Sequence, residues 1–146
     1  MKLTAKARYA VMAVADLAAQ GENACESLSA IGQRQAISVT FLEQLFGKLR
    51  RSGIVDSVRG AQGGYRLVKS ANAIALDTII KAVDGSPKAH GCTPEAKLAC
   101  TGRTDRCLTH DLWGALENHI EGFLASITVQ DVVDGRLPVK TLEAAE

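Results

Sequence analysis

SVTFLEQLFGKLRRSGIVDSVRGAQGGYRLV, residues 38–68, changes its hydrophobic period halfway along. In its first part Leu42, Leu45, Phe46 and Leu49 recur at helical spacing behind Ser38 and Thr40, either of which can cap a helix, Thr40 by a capping box with Glu43. Lys48, Arg50 and Arg51 gather at the far end. Gly53 then stops the helix, residues 54–59 read as a strand, 60–64 as a glycine-rich turn and 65–68 as the returning strand. Just upstream, residues 27–35 carry Leu28, Ala30 and Ile31, a short helix started by Ser27 or Ser29 and separated from the next by Ala36, Ile37 and Ser38.

Two short helices joined by a tight turn, followed at once by a hairpin, make a winged helix-turn-helix pattern. In that arrangement Ser38, Thr40, Glu43 and Gln44 reach base edges, while Arg50, Arg51 and Arg59 hold phosphates or enter a minor groove. Gly60, Gly63 and Gly64 would let the wing backbone come close to a phosphate wall. They do not form a phosphate-binding loop, because no Gly-Lys-Ser/Thr follows and no helix opens there. Glu43 has two readings: a carboxylate that meets a cytosine amino group and repels other sequences, or a plain capping partner of Thr40.

Outward from this segment, charge divides the chain. Residues 1–69 hold 10 Lys/Arg against 5 Asp/Glu, a net of +5, and residues 70–146 hold 7 against 11, a net of −4. A basic half can approach phosphates while an acidic half stays away, although the whole chain carries only +1. Thr4 can cap a first helix in which Ala7, Ala10, Val11, Val14, Leu17 and Ala18 form a small-residue face ending near Gly21. Residues 73–76 suggest a short strand, and Asp77 a cap for a helix carrying Ile79, Ile80 and Val83 up to Gly85. No apolar run reaches the ~20 residues of a membrane span, and Lys2, Lys6 and Arg8 interrupt any leader pattern, so a cytoplasmic protein is expected.

Residues 86–107 are poor in large apolar groups but carry Cys92, Cys100 and Cys107, followed by His110, in a C-x7-C-x6-C-x2-H pattern. In a reducing compartment such a set suits a metal better than disulfides; Cys25 stands apart as a spare thiol. Three thiolates and an imidazole fit zinc or an iron–sulfur cluster, and wide spacing favours the larger object. Behind it Leu112, Trp113, Leu116, Ile120, Phe123, Leu124 and Ile127 form a long helical seam. That seam suits a homodimer, which a helix-turn-helix protein needs to read a palindromic operator on double-stranded DNA. Thr128 and Asp131 can cap a last short helix. The expected fold is mainly α with a small β wing: a winged helix-turn-helix domain at 1–85, a cluster-binding loop at 86–110, a dimerisation helix and short terminal helix at 111–134, and a flexible tail at 135–146.

MKLTAKARYAV at 1–11, FLEQL at 41–45, VRGAQGGY at 58–65 and CLTHDLW at 107–113 together resemble the bacterial iron–sulfur cluster regulators of the IscR, NsrR and RirA group, over residues 1 to about 134. The resemblance implies a homodimeric winged-helix transcription factor with a cluster held ahead of the dimerisation helix, and the transcription machinery as a further partner. Members that keep a His after the third Cys, here His110, hold a [2Fe-2S] cluster. Members that sense nitric oxide or iron hold a [4Fe-4S] cluster, some with an acidic residue in the first helix, where this chain has Arg8, a further candidate for DNA contact. The cysteine intervals of seven and six depart from the commoner five and five. The alternatives are a nitric-oxide or iron sensor of the same group with a four-iron cluster, or a zinc-stapled DNA-binding protein. An enzyme built on Cys107 and His110 finds no support, since no orienting carboxylate or oxyanion hole is identifiable beside them.

Overall fold

Thr4 caps the first helix by accepting the Ala7 N–H at 3.2 Å, and α1 runs Ala5–Ala19. This computed structural model describes residues 3–89, 102, 105 and 107–138. After α1 come α2 (Leu28–Gln35), α3 (Val39–Arg51), β1 (Val55–Val58), β2 (Gly64–Leu67), a single 3-10 turn (Ala71–Ala73), α4 (Leu76–Asp84), α5 (His110–Ser126) and α6 (Val129–Asp134). β1 and β2 form a two-stranded antiparallel hairpin, Val55 opposite Leu67 and Val58 opposite Gly64. The mainly helical fold with a β wing is as the sequence leads one to expect.

The small face of α1 decides the packing. Ala7, Ala10 and Ala13 are fully buried, which lets α4 and α6 lie close against α1. Phe46, Leu17, Ile31, Leu42, Leu45, Leu49 and Ile79 fill the centre. Each such side chain stabilises the fold by about 1.5–3 kcal/mol through removal from water. The core crosses the boundary drawn at residue 85, because Leu124, Ile127 and Val129 belong to it. Main-chain bonds from Leu76 N–H to the Ile127 carbonyl and from Val129 N–H to the Ile74 carbonyl, both 2.9 Å, clip the junction of α5 and α6 to the segment behind the wing.

Three local expectations are corrected. Ser38, not Thr40, caps α3, accepting the Phe41 N–H at 3.3 Å, so Thr40 and Glu43 lie inside the helix and form no capping box. Asp77 does not cap α4; the helix starts one residue earlier, at Leu76, behind Ala75. The strand expected at 73–76 does not form: Ala73 ends the 3-10 turn, Leu76 opens α4, and only Ala75 is bridged, antiparallel, to Thr128. The capping box of α6 is present: Asp131 N–H bonds the Thr128 hydroxyl at 3.1 Å, and its carboxylate accepts the Thr128 N–H at 2.9 Å. Those bonds from Thr128 backbone and side chain hold the Asp131 carboxyl below its usual range.

Candidate nucleic-acid interface

The turn between α2 and α3 is tight enough to need special backbone. Ala36 takes the left-handed conformation (φ 54°, ψ 43°), and Ile37 N–H closes the turn on the Gly32 carbonyl at 3.0 Å. Gly32 is required, since a Cβ there would lie 2.6 Å from the Ile37 carbonyl oxygen. Aromatic contacts then fix α3 at two points. Tyr9 of α1 meets Phe41 edge-on at 5.7 Å, and Tyr65 of the wing meets Phe46 at 5.0 Å. The helix start is seated on α1 and the wing on the helix centre.

With Leu42, Leu45, Phe46 and Leu49 facing inward, helical periodicity turns Thr40, Glu43, Gln44 and Arg51 to one outward stripe, with Arg50 at its border. Ser38, Thr40, Glu43, Gln44, Arg50, Arg51 and Arg59 are all exposed, as is Arg8 on α1. Ser38 already spends its hydroxyl oxygen on the cap. Lys48 is turned sideways and donates to the Val83 carbonyl at 3.0 Å, tying α3 to the C-terminal end of α4. Lys6, Lys48, Arg51 and Lys81 line one open cleft there. Sequence reading missed this cationic cleft because its members come from three separate helices.

The wing glycines divide by role. Gly60 is exposed with φ 123°, a turn conformation that suits glycine. Gly64 serves the chain itself: a Cβ would strike the backbone of Glu26, whose N–H and carbonyl pair with Tyr65 at 3.0 and 2.8 Å. Gly63 is likewise crowded by the Val58 and Gly60 carbonyls. Both glycines are thus demanded by neighbouring backbone in the chain itself.

A charged clamp, also missed, holds α2 to α1. Asp16 is buried, and its carboxylate accepts Arg34 Nε at 3.0 and 3.1 Å, Arg34 Nη2 at 2.6 Å and Gln35 Nε2 at 2.6 Å. Burial alone would raise its pKa, but the hydrogen bonds from Arg34 and Gln35, with the Arg34 charge, hold it below the usual range. Arg34 also bonds Glu26 at 2.9 Å, the residue paired with the wing. Hydrogen bonds to Asp16 and Glu26 push the Arg34 guanidinium above its ordinary value. The available signal was a lone Asp on an otherwise apolar helix face.

Of the expected metal ligands, Cys92 and Cys100 lie outside the described residues. Cys107 and His110 are half-buried at the mouth of α5, where His110 N–H bonds the Cys107 carbonyl at 3.1 Å. Neither Cys107 nor Cys25 is in a disulfide. Among the described residues no three His, Cys, Asp or Glu side chains gather as a metal site. The donors are nonetheless of the right kind: two soft-metal ligands one helical turn apart at a helix mouth fit an iron–sulfur group or zinc. Cys25 Sγ lies instead 3.8 Å from the Gln62 carbonyl at the wing tip.

The α5 seam splits. Leu112, Trp113 and Phe123 are exposed, and Leu116 and Ile120 half-buried. Leu124 and Ile127 are covered by the chain's own core and are not free for a second copy, which corrects their assignment to dimerisation. No helix among the described residues is long and apolar enough to cross a membrane.

A helix-turn-helix with a wing packed on its second helix and an outward polar and cationic stripe is the architecture of a DNA-binding transcriptional regulator. Residues 3–135 match a family described as iron-dependent transcriptional regulators. The HTH-type transcriptional regulator IscR of Pectobacterium carotovorum is 47% identical over 136 residues, covering 93% of this chain and 81% of that one. The solved structure of T. potens IscR superposes with a TM-score of 0.72 at 35% identity, covering 93% of this chain and 88% of that one. CymR, the global cysteine regulator of B. subtilis, superposes with a TM-score of 0.75 at 30% identity, covering 92% and 98%. The chain belongs to the Rrf2 family.

Proposed function

We propose that this protein is a homodimeric, IscR-like regulator that senses iron–sulfur cluster status and controls genes of cluster biogenesis or iron metabolism. The observation that carries this reading is the pairing of Cys107 and His110 at the mouth of α5 with a seated winged helix on the same core. The 47% identity to an IscR supports it. Cys92, Cys100, Cys107 and His110 would hold a [2Fe-2S] cluster, which supplies a redox-active and displaceable centre when bound. An imidazole is a neutral donor beside three anionic thiolates, so the His110 corner is the labile one.

Cluster occupancy would act by favouring one of two DNA-binding states, through the packing of residues 86–110 on the wing or α3. Ser38, Thr40, Gln44 and Glu43 read base edges, Arg50, Arg51 and Arg8 hold phosphates, and Arg59 enters the minor groove beside Gly60. Glu43, released from any capping role, is exposed on α3 and discriminates against sites that offer no cytosine amino group. Leu112, Trp113, Leu116, Ile120 and Phe123 pair two copies so that two heads meet a palindrome.

The experiment is anaerobic purification with visible spectroscopy and iron and sulfide quantification. A red-brown protein with equal iron and sulfide that bleaches in Cys107→Ser is expected; a colourless protein carrying stoichiometric zinc refutes the cluster and leaves a zinc-stapled DNA binder.

A further inference from the structure

Gly47 stands in the middle of α3, where neither the fold nor the contacts described so far call for a glycine. Glycine loosens a helix interior, so it persists there when space or backbone angle demands it. Gly32 has such a reason: a Cβ would meet the Ile37 carbonyl oxygen at 2.6 Å and Leu42 Cδ1 at 3.3 Å. Around Gly47 nothing lies within 4 Å of an added Cβ, and its backbone is ordinary right-handed helix. The chain would accept alanine at this position without strain.

The position is also particular. Glu43 and Gln44 lie one turn before it, Arg50 and Arg51 one turn after, and Thr40 two turns before, all exposed. The centre of the outward stripe is therefore bare backbone, flanked by side chains long enough to reach past it.

We infer that Gly47 determines specificity by setting how deeply α3 seats in the major groove of DNA, an inference that rests on α3 being the recognition helix. A Cβ stands about 1.5 Å off its Cα and would hold the groove floor away by a comparable distance. Base-edge hydrogen bonds from Thr40 and Gln44 tolerate only a few tenths of an ångström before they weaken. Arg50 and Arg51 have flexible stems and can re-extend to phosphates. An added methyl group thus removes sequence-specific affinity and spares the non-specific part.

The test uses the full chain purified anaerobically and two probes: a duplex recovered from a random-sequence library by selection on the wild-type protein, and an unrelated duplex. Gly47→Ala should bind the selected duplex at least about tenfold more weakly, the equivalent of one lost base contact, and the unrelated duplex within about twofold of wild type. It should also melt about 2–4 °C higher, since alanine is the better helix former. Stability and specific affinity then move in opposite directions, which a purely structural glycine would not produce. If Gly47→Ala binds the selected duplex like wild type while Gln44→Ala and Arg59→Ala lose affinity, the seating role is overturned and α3 remains the recognition helix. If none of the three variants loses affinity, the assignment of α3 falls as well. A lower melting temperature for Gly47→Ala would also overturn the inference, because the glycine would then serve the fold.

Discussion

Asp16→Asn isolates the clamp between α1 and α2 with almost no change in volume. The asparagine oxygen can still accept from Arg34, but its amide now confronts the Gln35 amide, donor against donor, where the carboxylate accepts at 2.6 Å. Hydrogen bonds to a charged group contribute about 1.5–3 kcal/mol against about 1 for neutral ones. Because the Arg34 side chain is 36% exposed, the ion-pair part is partly screened. We expect a net loss of about 2–3 kcal/mol, hence a melting temperature lower by about 5–10 °C for a chain of this size. The sign with pH follows from the direction of the shift. The folded carboxyl is held below its unfolded value, so its contribution is fully present above about pH 4 and fades as pH falls through the lowered value. The gap between wild type and Asp16→Asn should stay constant from about pH 5.5 to 8. Anaerobic denaturant titration of Asp16→Asn, Arg34→Gln and the double variant measures the pair, with a coupling of about 1–2 kcal/mol expected. Additive losses, or a melting shift under about 2 °C, would refute the clamp as a source of stability.

Two further outcomes follow from the same geometry. Arg59→Ala, at the exposed base of the wing turn, should weaken DNA binding and lower the salt dependence of log K by about one ion-equivalent, read from binding isotherms at several salt concentrations; an unchanged slope removes Arg59 from the interface. Phe123→Asp, which places a charge on the exposed seam of α5, should convert a dimer to a monomer in sedimentation and leave the monomer folded, whereas a variant that stays dimeric places the interface elsewhere.

What was legible in the sequence was whatever periodicity and turn chemistry encode. The inward stripe of α3, the small face of α1, the Thr4 cap and the Thr128–Asp131 box all appear where local pattern puts them. Caps with two candidates were not resolvable, because Ser38 and Thr40, like Ser27 and Ser29, satisfy the same local rule; the structure uses Ser38 and Ser27. The packing reason for Gly64 was not legible because its neighbour is 38 residues away: the Glu26 backbone that crowds it leaves no mark near the wing. The Asp16 clamp and the cationic cleft of Lys6, Lys48, Arg51 and Lys81 are tertiary in the same sense. Leu124 and Ile127 belong to the seam by period, but the seam rotates into the core over its last turn, which a one-dimensional pattern cannot register.

The clip at Ile127 has a mechanical consequence. α5 spans 17 residues, about 25 Å, and is pinned at its far end to the segment between the wing and α4 while its near end carries His110. Ile120 and Leu124 pack on the core as well, so the free arm is the first ten residues of α5, about 15 Å. A tilt of about 10° of that arm displaces His110 by about 2.6 Å, so an ångström-scale rearrangement around the near end reaches the packed part of α5 as a rotation of only a few degrees.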